Sequence, residues 1–292
     1  MPRKTKFKNL FLISAVTVIS IFLFPASASA KVLKSISPYK GNFYTVSYSE
    51  TITGPKSHPV FLGRIDSRGK VTQISEPLNL PFVTDAVYDR ISGLFAILTS
   101  DQTGNCSVWR IDYRDPNNSL NWWFDVAKPA DSIDVCTSIV IDHWGWPRIS
   151  GFDSRSKTKK SYIGSYNRDG VLENSWEFSG FEFSAGSHLW SSYTTYFIDS
   201  NGFTPVNDTK DKFIPGNNLN IQSFAFDLQW GRWVLGTDSQ SKQSRIGVGI
   251  GSESTIWSKP LKSNSTKKNW VTKALIYLPD LNECRLFEVE CN

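Results

Sequence analysis

The chain has 292 residues, with 32 Lys and Arg against 27 Asp and Glu and a formal net charge of +5. Four of the basic residues lie within the first eight, so the rest of the chain is close to neutral. Binding to nucleic acid needs concentrated positive charge that displaces phosphate counterions, and this composition therefore argues against a nucleic-acid partner.

The N-terminus has the pattern of a secretory signal peptide. The basic residues precede an apolar run from Leu10 to Phe24, and an Ala-Ser-Ala tripeptide ends at Ala30. The run is about 15 residues long, short of the about 20 that a membrane-spanning helix needs. We therefore predict a signal peptide over residues 1–30 and a single domain over 31–292, secreted or at the cell surface, with no membrane span after cleavage. An uncleaved N-terminal anchor is the alternative.

Short strand-like segments, rich in Val, Ile, Phe, Tyr and Thr, follow one another along the domain. Turn residues separate them, and no long stretch with a 3.6-residue period occurs after residue 30. In chain order the segments are 42–49, 59–66, 93–100, 106–113, 136–142, 161–167, 195–200, 222–227, 232–237, 244–250 and 274–278. We predict an all-β fold.

Two patterns recur among these segments. In the first, an alternating strand ends in Asp and a turn with Gly follows: TDAVYD before Gly93, TSIVID before Gly145 and QSFAFD before Gly231. In the second, a tight turn reads IDSRGKV (65–71), YNRDGVL (166–172) and IDSNGFT (198–204), with IDYRDPN (111–117) as a degenerate version. An Asp or Asn side chain can bond its own turn, and Gly accepts a positive φ. The predicted turn formers are therefore Asp66, Asp89, Asp112, Asp142, Asn167, Asp199 and Asp227.

The second pattern returns after roughly 45 to 55 residues, a spacing near that of a β-propeller blade of about 45 residues. The step to Asp199 is shorter, so that repeat is eroded or its register differs. The Asp-turn-Gly signature and the repeat length resemble WD40-like and NHL-like propeller families over about residues 40–290. The resemblance implies a propeller of five to six blades, in which a C-terminal strand closes a blade with a strand from the other terminus. A β-sandwich is the alternative architecture.

The four cysteines form an even set, which in an exported protein predicts disulfides. Three pairings can be drawn. We favour Cys284–Cys291, since a hairpin-sized loop separates them, and Cys106–Cys136, since both lie in strand-like segments of neighbouring repeats.

Aromatic side chains are the main candidates for ligand binding. Large rings pack between blades, or they form a stacking platform for a sugar or peptide. Trp122 and Trp123 are adjacent, and neighbours on a strand point to opposite faces. The candidate set is Trp122, Trp123, Trp144, Trp146, Trp230 and Trp233, with His143 and His188 as further candidates.

We expect no cofactor and no metal, although Ca²⁺ would suit oxygen ligands converging at one axial face. No catalytic residue is assigned, because the sequence has no G-x-S-x-G turn and no Cys-x-x-Cys pair. The leading hypothesis is an exported non-catalytic binding module for an extracellular or cell-surface protein or carbohydrate, by analogy with other propellers.

Two alternatives remain open. The first is a metal-dependent hydrolase or lactonase that uses Asp85, Asp89, Asp142, His143, His188 and Asp227. The second is a structural platform on which another exported protein assembles, with an exposed apolar patch near Trp122 and Trp123.

Overall fold

The computed structural model describes residues 43–49, 58–66, 69–101, 103–128, 134–142, 144–155, 157, 160–179, 184–185, 196–199, 202–205, 219–226, 232–238, 240–241, 243–249, 255–257, 260–263 and 270–279. All of them lie in the compact unit Pro38–Asn292. None of these residues forms a helix with the length and apolarity that a bilayer crossing requires.

All regular structure in the described ranges is extended. In chain order the strands are β1 (Phe43–Ser49), β2 (His58–Ile65), β3 (Lys70–Gln73), β4 (Leu78–Leu80), β5 (Phe82–Asp89), β6 (Leu94–Ser100), β7 (Cys106–Ile111), β8 (Asn121–Asp125), β9 (Val135–Ile141), β10 (Pro147–Phe152), β11 (Lys160–Tyr166), β12 (Leu172–Ser179), β13 (Ser184–Ala185), β14 (Tyr196–Asp199), β15 (Gly202–Pro205), β16 (Leu219–Phe226), β17 (Arg232–Asp238), β18 (Ser244–Gly249), β19 (Thr255–Trp257), β20 (Lys262–Ser263) and β21 (Trp270–Tyr277).

These strands form five sheets that stand side by side as the blades of a β-propeller. The first sheet has the order β20-β3-β2-β1-β21, with β4 beside β2; the others are β5 to β8, β9 to β12, β13 to β15 and β16 to β19. The inner strands contact one another in sequence, β16 with β21, β21 with β5, β5 with β9 and β9 with β13. The predicted all-β propeller is confirmed and the β-sandwich is not observed. Within the described ranges, four of the five sheets are complete blades of four or more strands, and the remaining sheet holds three strands. The number of complete blades is near the five to six that the sequence predicts.

The first blade joins the two ends of the domain. Strand β1 pairs antiparallel with β21, from Phe43 opposite Tyr277 to Ser49 opposite Trp270. This pairing confirms the predicted closure by strands from opposite ends of the domain, and it removes two free sheet edges from the ring.

Apolar side chains fill the spaces between adjacent blades. Between the first and second blades, Val46, Leu62, Phe95 and Ile97 are fully buried in one cluster. Between the second and third blades, Leu98, Val108 and Ile149 are the centre of another cluster. Alternation along each strand sends one set of side chains to each neighbouring blade, so the second blade contributes to both cores.

The turns after the inner strands have the geometry that the sequence predicts. The Asp89 carboxylate accepts hydrogen bonds from the backbone N–H groups of Ile91 and Ser92, at 3.1 and 3.3 Å. Asp142 accepts from Trp144 and Trp146, both at 2.9 Å. The glycines of these turns, Gly93 and Gly145, have φ of 70° and 80°. Asp89 and Asp142 are therefore turn formers, and the equivalent Asp227 lies outside the described residues.

The outer turns are also confirmed at three positions. Asp66 accepts from Lys70 N–H at 2.9 Å, Asp112 from Arg114 N–H at 2.9 Å and Asn167 from Val171 N–H at 3.0 Å. At Asp199 the register differs from these three. The hairpin pairs Asp199 with Gly202, but β14 also pairs with the inner strand β13. The turn therefore joins the second and third described strands of its blade, whereas the other three turns join the third and fourth.

One predicted disulfide links neighbouring blades. Cys106 at the start of β7 is bonded to Cys136 on β9, with 6.3 Å between the Cα atoms and 30 positions between them in sequence. Both side chains are buried. The Cys106–Cys136 pairing is confirmed; Cys284 and Cys291 lie outside the described residues.

Loss of this disulfide should destabilise the propeller. In the chain-entropy model a closed loop of this length is worth about 3.5 kcal/mol. We expect a double Cys106→Ala, Cys136→Ala variant to lower the free energy of unfolding in urea by about that amount. An unchanged unfolding midpoint and slope would show that the bond adds nothing to the fold.

Candidate binding surface

The inner strands share an irregularity at one position of the repeat. In β5, β9, β16 and β21 the register with the second strand shifts by one residue, at Thr84, Thr137, Gln222 and Lys273. Such β-bulges bend a strand and redirect its side chains. The residues that follow three of these bulges are Asp85, Ser138 and Ser223, and in the first blade the equivalent residue is the apolar Ala274.

Asp85 collects hydrogen bonds from two other blades. Its carboxylate accepts from Ser138 Oγ at 2.5 Å and from the Ile139 N–H at 3.0 Å, both on β9. It also accepts from Ser223 Oγ on β16, at 3.1 Å. Ser223 Oγ in turn accepts from the Leu275 N–H on β21, at 3.2 Å. The bonds join the inner strands of four blades, and we refer to Asp85, Ser138, Ser223 and Lys273 as the axial cluster.

Burial dominates the electrostatics of the axial cluster. Asp85 is 7% exposed. Burial raises the pKa of its carboxyl to about 6, although the hydrogen bonds from Ser138, Ile139, Ala86 and Ser223 oppose this shift. Burial also lowers the pKa of Lys273, and the attraction of Asp85 opposes that change. Lys273 Nζ donates to Gln222 Oε1 at 3.4 Å.

Two other carboxylates proposed for a metal site each lie beside an arginine of their own blade. Asp89 forms a salt bridge with Arg110, with 2.9 Å between Oδ2 and Nη2. Asp142 forms a longer one with Arg148, with 3.6 Å between Oδ2 and Nη2. No group of three metal-ligating side chains occurs among the residues that the structure describes. His143, His188 and Asp227 lie outside that part of the chain, so their proposed roles stay predictions.

In the first three blades, the described turns that follow the first and third strands lie at one end. We call this end the turn face; it carries the turns that begin at Asp66, Asp89, Asp112, Asp142 and Asn167. Contacts between blades show that these ends meet. Trp123 Nε1 on the second blade donates to the Arg168 carbonyl on the third, at 2.8 Å, and Phe124 lies against Gly170.

Trp122 and Trp123 point to opposite sides of β8, as their adjacency predicts. The Trp123 ring is half-buried beside the third blade, and the Arg110 guanidinium lies 3.2 Å from its centroid. Trp122 faces the other way and is 55% exposed, with its Nε1 bonded to Asp125 Oδ1 at 3.2 Å. The two rings therefore cannot act as one flat platform.

Trp144 is the exposed tryptophan that a turn holds in place. It is 55% exposed, and the Asp142 side chain bonds the backbone N–H groups on both sides of Gly145. A side chain at Gly145 would collide with the Arg168 guanidinium, which packs directly on this turn. Trp146 is half-buried at the start of the next strand.

Two tryptophan candidates remain, Trp230 and Trp233. Trp233 is 5% exposed and packs on Phe43 with 4.7 Å between ring centroids, so it belongs to the core. Trp230 lies outside the described residues. Sequence reasoning did not find Arg110 and Arg168, although the former precedes the Ile-Asp of an outer turn, as Arg64 does in the first blade.

Comparison with known proteins gives no family. No protein-family model matches the chain, and no curated protein matches it. The fold is similar to a chain of a nidogen/laminin complex, with 10% identity, a TM-score of 0.44 and coverage of 81% of this chain and 98% of that one. It is also similar to a periplasmic gluconolactonase of Pseudomonas aeruginosa, with 11% identity, a TM-score of 0.40 and coverage of 77% and 69%. A β-1,3-galactosidase of family GH43 matches with 10% identity, a TM-score of 0.46 and coverage of 79% and 58%. These three similarities concern the fold.

The raised pKa of Asp85 predicts a pH dependence of stability. The unfolded chain releases this proton near 3.8 and the folded chain near 6. Stability from this group is complete below the lower value and is lost as the pH rises through the upper one. The loss is about 3 kcal/mol, since each pKa unit corresponds to about 1.4 kcal/mol.

Urea unfolding between about pH 4.5 and 7.5 tests this expectation. Asp85→Asn keeps an amide oxygen for the Ser138 and Ile139 donors but cannot ionise, so its stability should fall less over this range than that of the wild type. The matched control is Asp238→Asn on an exposed loop. Backbone hydrogen bonds from Ser241 and Gln240 lower the pKa of Asp238, so its contribution is already complete above 3.8. Equal pH slopes for Asp85→Asn and the wild type would contradict the account.

Proposed function

We propose that the protein is an exported, non-catalytic binding module whose extracellular ligand, a protein or carbohydrate, contacts the turn face of the second and third blades. The observation that carries the proposal is the rigid exposure of Trp144. A tryptophan has only two side-chain torsions, so it offers a large contact area for little loss of conformational entropy.

The residues around Trp144 also support a ligand contact at this turn. Aromatic and arginine side chains are enriched where binding energy concentrates. Arg168 packs on the Trp144 turn within the third blade, and Arg110 stacks on Trp123 within the second. The Trp123 Nε1 hydrogen bond to the Arg168 carbonyl joins the two blades. The Asp142 hydrogen bonds fix the turn before any ligand arrives, which reduces the ordering cost of binding.

Export is supported by two features. The basic and apolar N-terminal segment matches a signal peptide. The buried Cys106–Cys136 disulfide suits an oxidising compartment.

Thermal unfolding of the purified protein with a panel of neutral and acidic oligosaccharides tests the proposal, with EDTA and Ca²⁺ as separate additions. A ligand present at 100 times its Kd adds about 2.7 kcal/mol of stability. We expect an oligosaccharide to raise the midpoint, and Trp144→Ala to weaken its binding about ten-fold, as truncation of an anchor residue does.

The control is Trp176→Ala, which removes an exposed tryptophan from the outer strand β12 of the third blade. It should leave binding unchanged. A midpoint that rises with Ca²⁺ alone and falls with EDTA would favour the metal-dependent alternative. A saccharide shift that survives Trp144→Ala would place the ligand elsewhere.

A further inference from the structure

A second surface lies on the turn face, between the first and second blades. The first blade contributes Tyr44, on β1, and Arg64, which stands directly opposite it on β2. The second blade contributes Tyr88 at the end of β5 and Tyr113 beyond the end of β7. Arg90 and Arg114 follow these two tyrosines. We call the six residues the tyrosine–arginine cluster.

The three rings meet around Phe95. Tyr113 stacks on Phe95 with 4.9 Å between centroids, and Tyr44 meets the same ring edge-on at 5.1 Å. The centroids of Tyr44 and Tyr88 lie 5.5 and 6.5 Å from that of Tyr113. Tyr44 and Tyr88 are 6% and 8% exposed, whereas Tyr113 is half-buried. The aromatic floor is therefore preformed, and Tyr113 is its member nearest to solvent.

The guanidinium groups stand at the rim of this floor. Arg64 and Arg114 are exposed and Arg90 is half-exposed. The Arg114 guanidinium lies 5.5 Å from the Tyr113 ring centroid, and two hydrogen bonds of 2.7 and 3.0 Å hold it on Asp112. Arg64 stands opposite Tyr44 across the β1–β2 ladder, and the charge of Arg90 acts on Tyr88, so both arginines add positive charge near the floor.

The phenols of Tyr44 and Tyr88 keep their protons at physiological pH. Burial raises the pKa of Tyr88 to about 12. Burial also raises the pKa of Tyr44, although the charge of Arg64 opposes the change. A phenol that keeps its proton can donate to one oxygen and accept from another, which matches the hydroxyl groups of a sugar.

We propose that the tyrosine–arginine cluster binds an acidic carbohydrate. The saccharide ring lies on the aromatic floor at Tyr113, its hydroxyl groups bond the phenols, and Arg64 and Arg90 receive its carboxylate or sulfate. Guanidinium groups bind planar carboxylates through two parallel hydrogen bonds. The inference rests on the proposed binding function and names the ligand class for the turn face.

Isothermal titration of the purified protein tests this assignment with four probes: tetragalacturonate, a sulfated dextran oligosaccharide, neutral maltotetraose and a polyglutamate peptide. The first two probes distinguish a carboxylate from a sulfate as the recognised group. We expect one of them to bind. Arg64→Gln with Arg90→Gln should weaken that binding about ten-fold or more, and raised salt should weaken binding to the wild type more than binding to the variant.

Tyr113→Phe keeps the ring that stacks on Phe95 and removes only its hydroxyl, so the fold should be retained. Loss of one neutral hydrogen bond should weaken binding about five-fold. The matched control is Arg155→Gln, which removes an exposed guanidinium from the loop between β10 and β11, at the end opposite to the turn face. This control should bind as the wild type does.

The outcomes separate this inference from the proposed function. Acidic saccharide binding that is unchanged in the Arg64→Gln, Arg90→Gln variant would overturn the inference. So would binding of polyglutamate alone, which would assign the cluster to an acidic peptide. Maltotetraose binding that Trp144→Ala weakens, without any binding of acidic saccharide, would keep the proposed function and reject the inference. Acidic saccharide binding that depends on the cluster but not on Trp144 would keep the inference and would reject the placement of the ligand on the second and third blades.

Discussion

A ring of antiparallel sheets needs its two ends to pair, and the other contacts in this propeller depend on the pairing of β1 with β21. Strand β21 packs against both β5 and β16, so it completes the ring only while β1 holds it in the first blade. Val46, Ala274 and Leu275 are buried at this pairing. Apolar burial of this kind contributes about 25 cal/mol per Å², and a closed ring leaves few strand edges for unwanted association.

The axial cluster adds polar contacts between the inner strands of the ring. Inner strands come close together at the axis, where apolar side chains are replaced by Asp85, Ser138 and Ser223. The bulges redirect these groups toward neighbouring blades, and Asp85 accepts three hydrogen bonds from two of them. A buried carboxylate is costly unless it is bonded, so the serines and the Ile139 N–H offset the cost of burying it. These hydrogen bonds give the axial carboxylate a structural role, and the ligand that we propose would contact the turn face.

The local features of this fold could be read from the sequence because short-range chemistry fixes them. Asp89 and Asp142 accept bonds from backbone groups two to four residues away, and Gly145 supplies a positive φ that the turn requires. The Cys106–Cys136 bond was predicted because both residues lie in adjacent repeats. At Asp199 the sequence left open an eroded repeat or a different register, because the same Ile-Asp-Ser-x-Gly turn can join either pair of neighbouring strands in a blade.

The site could be predicted only in part, because it depends on which blades stand side by side. Trp144 was identified as a candidate, but the packing of Arg168 on its turn could not be read from the sequence. Trp233 has a similar sequence context and is buried on Phe43, a residue 190 positions away in sequence that the ring closure brings near. Asp85 and Ser223 are separated by 138 positions. The tyrosine–arginine cluster likewise joins residues of two blades. No local sequence pattern shows that these residues face each other.

Native-state hydrogen exchange, resolved by residue, tests the closure of the ring most directly. If the pairing of β1 with β21 holds the propeller together, amides of these strands should exchange as slowly as those of β5 and β9, since all would open only in global unfolding. Fast exchange in β1 and β21, with β5 to β11 still protected, would contradict the account. It would show that the blades are stable without the junction.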